Sequence, residues 1–284
     1  MIEINPIQRH LFLEGIFLRY GYDFRQYSEA SLNRRLSALL TSQQKSSLID
    51  VLGRALESVE SFREMLPFLT INTTEFFRDP LFFREIREVI LPILSTYPSI
   101  RIWSAGCSTG EEVLSLNILL SEAGLLSRST VYATDVNPNI IKRAKKGIFD
   151  SSSMQMFAKN YAAASGLRSP SEYYTAEYDL VRFDPKLMEN VVFSEHNLAT
   201  DSVFVEAHLI LCRNVMIYFT RELQARVIDL FQHSLAHGGF LGLGSKESLR
   251  LSPAAKNFSA LDFRSTLYQI KPASVEKKNF GGFA

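Results

Sequence analysis

The chain has 284 residues, 46% of them hydrophobic, and its 31 basic and 30 acidic residues leave a formal net charge of +1. This length suits one large globular domain plus a smaller one, and the balanced charge argues against a general affinity for nucleic acid or acidic membranes. Two distant cysteines, a start without a signal pattern and the absence of apolar runs of about 18 residues predict a cytoplasmic protein without disulfides or membrane insertion.

The N-terminal part of the chain has a helical pattern. Four leucines between Leu32 and Leu40 recur at the spacing of one helix face. The sequence therefore predicts a small all-helical domain over residues 1–70. Arg34 and Arg35 fall off this apolar face and predict a locally basic surface, which is either an ordinary solvated face or a docking site for an acidic partner.

Residues 71–98 are expected to form a linker with one helix. The polar loop TINTTEFFRDP comes first. Asp79 is expected to cap the helix that follows, and Pro80 suits its first position. The helix should end near Leu91, just before a second proline.

After residue 98, short apolar runs alternate with amphipathic segments. The runs that read as strands are IRIWSA, STVYATD, NVVFSE, HLILCRN, GFLGLGS and STLYQIK. Helices are predicted for GEEVLSLNILLSEAG, for NPNIIKRAKKG and from about Arg221 to Ala236. This alternation predicts an α/β domain over residues 99–272, with a parallel, Rossmann-like sheet covered by helices on both faces.

Two segments depart from this alternation. The stretch SPSEYYTAEYDLVRFD is rich in aromatic and strand-favouring residues and predicts a small β-subdomain inserted at about residues 154–189. Residues 273–284 lack periodicity, and we expect a flexible tail there.

The segment WSAGCSTG contains the spacing G-x-S-x-G, which is typical of the nucleophile elbow of α/β-hydrolases and would make Ser108 a nucleophile. However, Glu111 and Glu112 follow at once and place negative charge where an oxyanion would form. Among the later histidines only His196 lies near a strand end, and it precedes the nearest candidate acid instead of following it. A serine hydrolase is therefore the disfavoured interpretation.

The same turn suits a nucleotide-like ligand. Gly106 and Gly110 allow close approach of the backbone, and Asp135 at the end of the next strand suits ribose hydroxyls. The fingerprint G-x-G-x-x-G is absent, and the adjacent acidic pair would repel a pyrophosphate, so NAD and FAD fit badly. The residues indicate a cationic, phosphate-free nucleoside, a description that S-adenosylmethionine meets.

Motifs along nearly the whole chain resemble those of the bacterial chemotaxis receptor methyltransferases, the CheR family. The matching blocks are SLNRRL, TINTTEFFRD, RIWSAGCSTGEE, ATDVNPNIIKRAKKGIF, VVFSEHNL, LILCRNVMIYF and GGFLGLGSKESL. The resemblance implies a class I methyltransferase fold that uses S-adenosylmethionine, releases S-adenosylhomocysteine and methylates glutamate carboxylates of methyl-accepting receptors. A noncatalytic adaptor with the same fold is the main alternative, and methylation of a small molecule or RNA is a third.

The resemblance also implies site residues. Asn72, Thr74 and Arg78 match the segment that closes over the methionine part of the cofactor. To Gly106 and Asp135 the resemblance adds the cofactor positions Glu111, Asn197, Leu198, Asn214 and Val215. Arg78 is a candidate for fixing the acceptor carboxylate, and Tyr218 for shaping the acceptor pocket.

Partners and neighbouring residues follow in the same way. Arg34 and Arg35 match basic positions that face the acidic methylation helices of receptors. Some relatives also bind a receptor's C-terminal peptide by strand addition to the β-subdomain, which the sequence leaves undecided. We expect a monomer. The neighbours for which packing or helix-end roles are expected are Phe76, Phe77, Cys107, Glu112 and Cys212.

Overall fold

The computed structural model describes residues 2–249 and 252–272, so the predicted tail lies outside the described part. The helices are α1 (Pro6–Tyr20), α2 (Glu29–Ser42), α3 (Leu48–Glu57), α4 (Val59–Leu69), α5 (Pro80–Glu85), α6 (Leu91–Leu94), α7 (Glu111–Glu122), α8 (Pro138–Ala144), α9 (Met154–Ala163) and α10 (Arg221–Ser234). The strands are β1 (Ile100–Ala105), β2 (Ser129–Asp135), β3 (Ile148–Asp150), β4 (Tyr174–Glu177), β5 (Leu180–Phe183), β6 (Val191–Glu195), β7 (Ala207–Cys212), β8 (Leu235–Leu243), β9 (Phe258–Ala260) and β10 (Leu267–Ile270).

The main sheet confirms the predicted Rossmann-like class I methyltransferase fold. Its strand order is β6-β2-β1-β7-β8-β10-β9. The pairs from β6 to β8 are parallel, whereas β10 runs antiparallel to both β8 and β9. The chain moves outward from β1 to one edge and then crosses to β7 on the other side. Ligands of such sheets bind at the carboxyl ends of the strands where the order reverses, here between β1 and β7.

The side chains of alternate strand residues pack into two apolar layers, one on each face of the main sheet. In β1, Ile102 belongs to the layer packed with α5, α7 and α9, whereas Trp103 belongs to the layer packed with α10. Both residues are fully buried. This two-sided burial explains why the strand reads as a continuous apolar run.

The helices α1–α4 form the predicted N-terminal unit around an apolar cluster of their own. Its core includes Leu32, Leu36 and Leu39, which the helical spacing had placed on one face. The unit contacts the large domain through an antiparallel bridge between Tyr27 and Phe219.

The predicted β-subdomain is confirmed, and it is larger than expected. Its three-stranded antiparallel sheet has the order β3-β5-β4. Strand β3 lies before the predicted start, because the chain enters the sheet directly after Gly147, the residue predicted to end the preceding helix. Strand β9 was not predicted, since three residues are too few for an alternating pattern to be detected.

Two details of the linker helix were predicted wrongly. The Asp79 side chain does not cap α5, and its backbone is left-handed with φ +57°. The helix also continues past Pro92 to Leu94. A π-helical turn, Ile86–Ile90, precedes the proline. Pro92 lies at the start of α6, where a missing amide hydrogen is tolerated.

Candidate active site

The turn after β1 is held tightly against β2. The amides of Gly106 and Cys107 both donate to the carbonyl oxygen of Thr134, at 2.7 and 2.9 Å. Gly106 has φ +80°, and a Cβ atom there would lie 2.5 Å from a methyl carbon of Val215. Glycine is therefore required both for the backbone conformation and for the close approach of the loop after β7.

Asp135 at the end of β2 is buried beside this turn. One carboxylate oxygen accepts from the Ser108 amide and the other from the Asn137 amide, each at 3.0 Å. Burial raises the pKa of the carboxyl, and these amides oppose that effect. Each carboxylate oxygen has further lone pairs, so Asp135 retains the capacity to accept hydrogen bonds from ribose hydroxyls.

Ser108 is a structural residue in this site. Its hydroxyl donates to the main-chain carbonyl of Asn72 at 3.1 Å, which ties the segment before α5 to the glycine turn. The ring of His196 instead pairs with the carbonyl oxygen of Ser202. Ser108 and His196 thus have separate partners and do not form the serine–histidine pair of a hydrolase, which supports the binding interpretation of the turn.

The segment from Asn72 to Asp79 covers the turn, and we call it the lid. Arg213, just after β7, anchors the lid. Its guanidinium donates to the carbonyl oxygen of Arg78 at 2.6 Å and to the Asp79 carboxylate at 2.8 Å, and it also pairs with Glu112 at 3.3 Å. This use of Asp79 explains why it does not cap α5. Arg213 was not singled out in the sequence, although it lies in the block LILCRNVMIYF.

The two lid phenylalanines pack as expected. Phe76 and Phe77 are buried. The Phe77 amide donates to the Ser115 hydroxyl at 2.9 Å. Arg78, by contrast, is half-buried, and its guanidinium donates to the Thr73 carbonyl oxygen at 3.2 Å. Within the described residues no carboxylate is in ion-pair contact with Arg78, so its guanidinium is available to a ligand.

The loop after β7 supplies the other wall. Asn214 has φ +61°, and its side-chain carbonyl oxygen is buried without a hydrogen-bond partner among the described residues. A buried acceptor of this kind is costly unless a ligand satisfies it. The loop thus offers an acceptor next to the glycine turn, at the sheet position where ligands bind.

Two adjoining hollows, a larger and a smaller one, lie at this edge of the sheet. They share walls formed by Ile71, Gly106, Asn214 and Val215. The predicted residues that line the larger hollow are Asn72, Gly106, Asp135, Asn197, Leu198, Asn214, Val215 and Tyr218. Those that line the smaller one are Thr74, Gly106, Arg78, Asn214 and Val215. The structure therefore brings together every predicted cofactor and catalytic position except Glu111.

The positions of the two neighbouring glutamates differ from the expectation. The Glu111 carboxylate accepts from the Thr109 hydroxyl at 2.6 Å, and burial raises the pKa of this carboxyl. Glu112, expected to act only at the helix end, lines the smaller hollow and accepts from the Ser104 hydroxyl at 2.9 Å. Successive residues point in different directions on a helix, so sequence adjacency does not decide which one faces the ligand.

Arg35 was wrongly predicted to lie on an exposed basic face. Only 7% of the residue is exposed, and its guanidinium binds the carbonyl oxygens of Ser31 and Leu69. It lines the larger hollow and lies 5.7 Å from the ring centroid of Tyr218. Arg34, its neighbour, is exposed.

His196 is a further wall residue that the sequence reasoning did not assign to the site. It lines the larger hollow beside Asn197. Burial lowers its pKa, so the ring is neutral at pH 7.

The charges around both hollows are mixed, because Arg35, Arg78 and Arg213 balance Glu75, Glu112 and Asp135. The acidic pair and the cationic ligand indicated by the sequence imply a negatively charged lining, whereas the structure shows a mixed one.

A Rossmann-like sheet with a glycine turn after β1, a buried aspartate after β2 and a hollow at the reversal of strand order defines the class of nucleoside-binding α/β enzymes. Comparison with known proteins narrows the class. The CheR methyltransferase SAM-binding domain matches residues 72–265. The chain belongs to the CheR methyltransferase family, and its cofactor is S-adenosylmethionine.

Relatives extend the similarity beyond this domain. A Pseudomonas putida protein named as a putative methyltransferase, Cher3, is 46% identical over 97% of this chain and 98% of its own length. A chemotaxis protein methyltransferase of Listeria monocytogenes is 30% identical over 85% of this chain and 90% of its own. One from Vibrio parahaemolyticus is 31% identical over 80% and 82%. The similarity thus includes most of the N-terminal unit.

The residues present fit the cofactor. The crowded approach of Gly106 to Val215, the free lone pairs of Asp135 and the buried amide oxygen of Asn214 provide a narrow cradle, a ribose acceptor and an acceptor for a cationic amino group. Across the described residues, no helix is both long and apolar enough to span a membrane.

Proposed function

We propose that this protein transfers the methyl group of S-adenosylmethionine to glutamate side chains of methyl-accepting chemotaxis receptors in the cytoplasm. The observation that carries the proposal is the guanidinium of Arg78, which pairs with no carboxylate of the described residues and lies on the wall of the smaller hollow. The larger hollow beside it is the one in which we place the cofactor, and we call it the cofactor hollow. A planar guanidinium binds a carboxylate through two parallel hydrogen bonds and so suits an anionic acceptor.

The chemistry places few demands on the protein. When bound, S-adenosylmethionine supplies a methyl carbon that bonds to a carboxylate oxygen, while the sulfur keeps the electrons of the broken bond. Glutamate is ionised at neutral pH, since its reference pKa is about 4.3, so no general base is needed. The protein's own contribution is to orient the acceptor and exclude water, and orientation is worth up to about 7 to 11 kcal/mol.

Specific residues support that contribution. Arg78 would hold the acceptor carboxylate, and Tyr218 would form the wall on the side of the larger hollow. Thr74 and Asn72 belong to the lid, which Arg213 anchors over the glycine turn. A closed lid would keep water from the reacting atoms.

Receptor docking is the second part of the proposal. Arg25 is paired with Asp23 and Glu14, so the exposed basic residues left near α2 are Arg34 and Lys45. We propose that Arg34 contacts the acidic methylation helices. In the β-subdomain, strand β4 is paired on one side only and is exposed along most of its length, which would suit strand addition by a receptor peptide.

Methyl transfer from radiolabelled S-adenosylmethionine to receptor cytoplasmic fragments tests the reaction. We expect label that is released by base, as a methyl ester requires, and no label when the acceptor glutamates are replaced by alanine. Base-stable label, or none with any receptor fragment, would contradict the proposal. Receptor binding together with cofactor binding but without transfer would instead identify an adaptor.

A further inference from the structure

The block GGFLGLGSKESL comprises the end of β8 and the turn after it, and one of its residues lines neither hollow. Glu247 is 7% exposed. One oxygen of its carboxylate accepts from the amides of Asn214 and Gly244, at 2.9 and 2.7 Å. The other accepts from the amides of Val215, Met216 and Ile217, at 3.0, 2.7 and 3.3 Å.

Four of these five amides are consecutive in the loop after β7. Four successive amides that converge on one point form a concave site for an anion, and here the anion is a side chain of the same protein. The left-handed backbone of Asn214, with φ +61°, is unfavourable for a non-glycine residue and persists only where the surroundings hold it. Glu247 supplies that restraint.

Gly244 permits this arrangement. A Cβ atom at Gly244 would lie 2.7 Å from the Glu247 carboxylate and 2.8 Å from the Asn214 amide nitrogen. Glycine therefore lets the strand end approach both groups. The contact between Gly244 and Glu247 explains why a glycine lies three residues before the glutamate in the sequence GSKE.

We propose that Glu247 is the positioning residue of the cofactor pocket. By binding the amides of residues 214–217 it fixes Asn214 and Val215, which line both hollows, and sets the start of the turn that carries Tyr218. Glu247 itself lines neither hollow and acts through the loop. The inference rests on cofactor binding and is independent of which acceptor is methylated.

Glu247→Gln provides the sharpest test. The amide nitrogen of glutamine is a donor, so it faces amides on one side where the carboxylate had accepted from them. We expect the Kd for S-adenosylhomocysteine, measured by calorimetry, to rise at least about tenfold, in line with the loss of charge-assisted hydrogen bonds. Hydrogen exchange should become faster in a peptide covering residues 213–218 and stay slow in strand β7.

Glu122→Gln is the matched control. Glu122 is also a buried carboxylate with several hydrogen-bond donors, but it lies at the far end of α7. We expect this variant to lose stability while its Kd stays within about twofold of the wild type. A Kd for Glu247→Gln within about twofold of the wild type would overturn the proposal. An equal loss of cofactor affinity in Glu247→Gln and Glu122→Gln would overturn it as well.

Glu247→Asp guards against a variant that fails to fold. Aspartate keeps the charge but is one methylene shorter, so it cannot reach both groups of amides. We expect a folded protein whose Kd lies between those of the wild type and Glu247→Gln. Unchanged affinity together with unchanged exchange of residues 213–218 in Glu247→Asp would also contradict the role.

Discussion

Gly106 shows how one residue without a side chain shapes the cofactor hollow. Its positive φ and its contact with Val215 are separate requirements, one of the backbone and one of space. Gly124 meets only the first requirement, because it has φ +68° and a Cβ atom added there would meet nothing within 4 Å among the described residues. The two glycines therefore allow strain and crowding to be separated.

Gly106→Ala is expected to weaken cofactor binding by more than about tenfold, because the added methyl group displaces Val215 from the wall of both hollows. Gly124→Ala should leave the affinity within about twofold. Both variants should lose about 1 to 2 kcal/mol of unfolding free energy from the left-handed backbone, and Gly106→Ala should lose about 1 to 3 kcal/mol more from the contact with Val215. Calorimetry and urea unfolding measure the two effects, and equal affinities in the two variants would contradict the crowding argument.

At the scale of secondary-structure elements, one buried side chain connects the lid to both β7 and α7. Arg213 joins the end of β7 to the lid and to the first turn of α7 through Asp79 and Glu112. Its guanidinium also lies 4.2 Å from the ring centroid of Phe82, in helix α5. Elements that are distant in sequence thus share one cation.

Arg213→Met should destabilise the protein by about 1 to 3 kcal/mol, because it removes hydrogen bonds from a buried cation to two partly exposed carboxylates and to the Arg78 carbonyl oxygen. It should also raise the cofactor Kd about tenfold or more, since the lid loses one of the contacts that hold it over the glycine turn. Arg54→Met, which breaks an exposed pair with Glu64, should cost less than about 1 kcal/mol. A folded Arg213→Met protein with wild-type affinity and an equally protease-resistant lid would refute this role.

A second buried junction joins α7 to the β-subdomain. The Glu122 carboxylate accepts from Tyr161, Tyr173, Arg87 and the Leu167 amide. Burial, the largest influence, acts to raise its pKa, but the hydrogen bonds together bring the pKa below the ordinary value of 4.5. The folded state therefore favours the ionised form more than the unfolded state does.

The sign of this shift predicts an acid-sensitive junction. The stabilisation by Glu122 is complete above pH 4.5, the unfolded-state pKa, and is lost as the pH falls through the lower folded-state pKa. Glu122→Gln should be less stable than the wild type at pH 7, and its unfolding free energy should fall less steeply between about pH 5 and about pH 3. Urea unfolding across that range checks the slopes, and parallel curves would contradict the assignment.

At the scale of the whole molecule, the N-terminal unit is part of the site. The Ser28 amide donates to the Tyr218 carbonyl oxygen at 2.7 Å, and the Thr220 amide donates to the Gln26 carbonyl oxygen at 2.8 Å. Arg35 reaches the larger hollow from α2. The unit that is proposed to contact the receptor therefore also fixes the backbone on either side of Phe219, which lines the larger hollow.

If Arg34 contacts the receptor, reversing its charge should weaken binding of the acceptor and leave binding of the cofactor unchanged. Arg34→Glu should raise the KM for a receptor fragment several-fold and leave the cofactor Kd unchanged, because Arg34 is exposed on α2 whereas the cofactor hollow is lined by Arg35. The difference should shrink with added salt, since the screening length is about 10 Å at 0.1 M. Arg19→Glu on α1 carries the same charge change and should have little effect; equal effects would argue against docking through α2.

The order of elements and most of the site could be predicted from the sequence. Apolar periodicity and cap residues identify β1, β2 and the helices between them, and these are local patterns. The rule that ligands bind at the carboxyl ends of such strands then places Gly106 and Asp135 together. These features could be predicted because each depends only on a short stretch of sequence and on one rule of sheet topology.

Only the tertiary structure decided which side chains meet across the chain. Arg35 points inward, Glu112 lines the smaller hollow, and Arg213 and Glu247 bind the lid and the loop after β7. Glu247 is about thirty residues from the amides of residues 214–217, and Arg213 is more than a hundred residues from Asp79 and Glu112. Local patterns contain no signal for such partnerships, because a buried charge is placed by the donors and acceptors that packing brings to it.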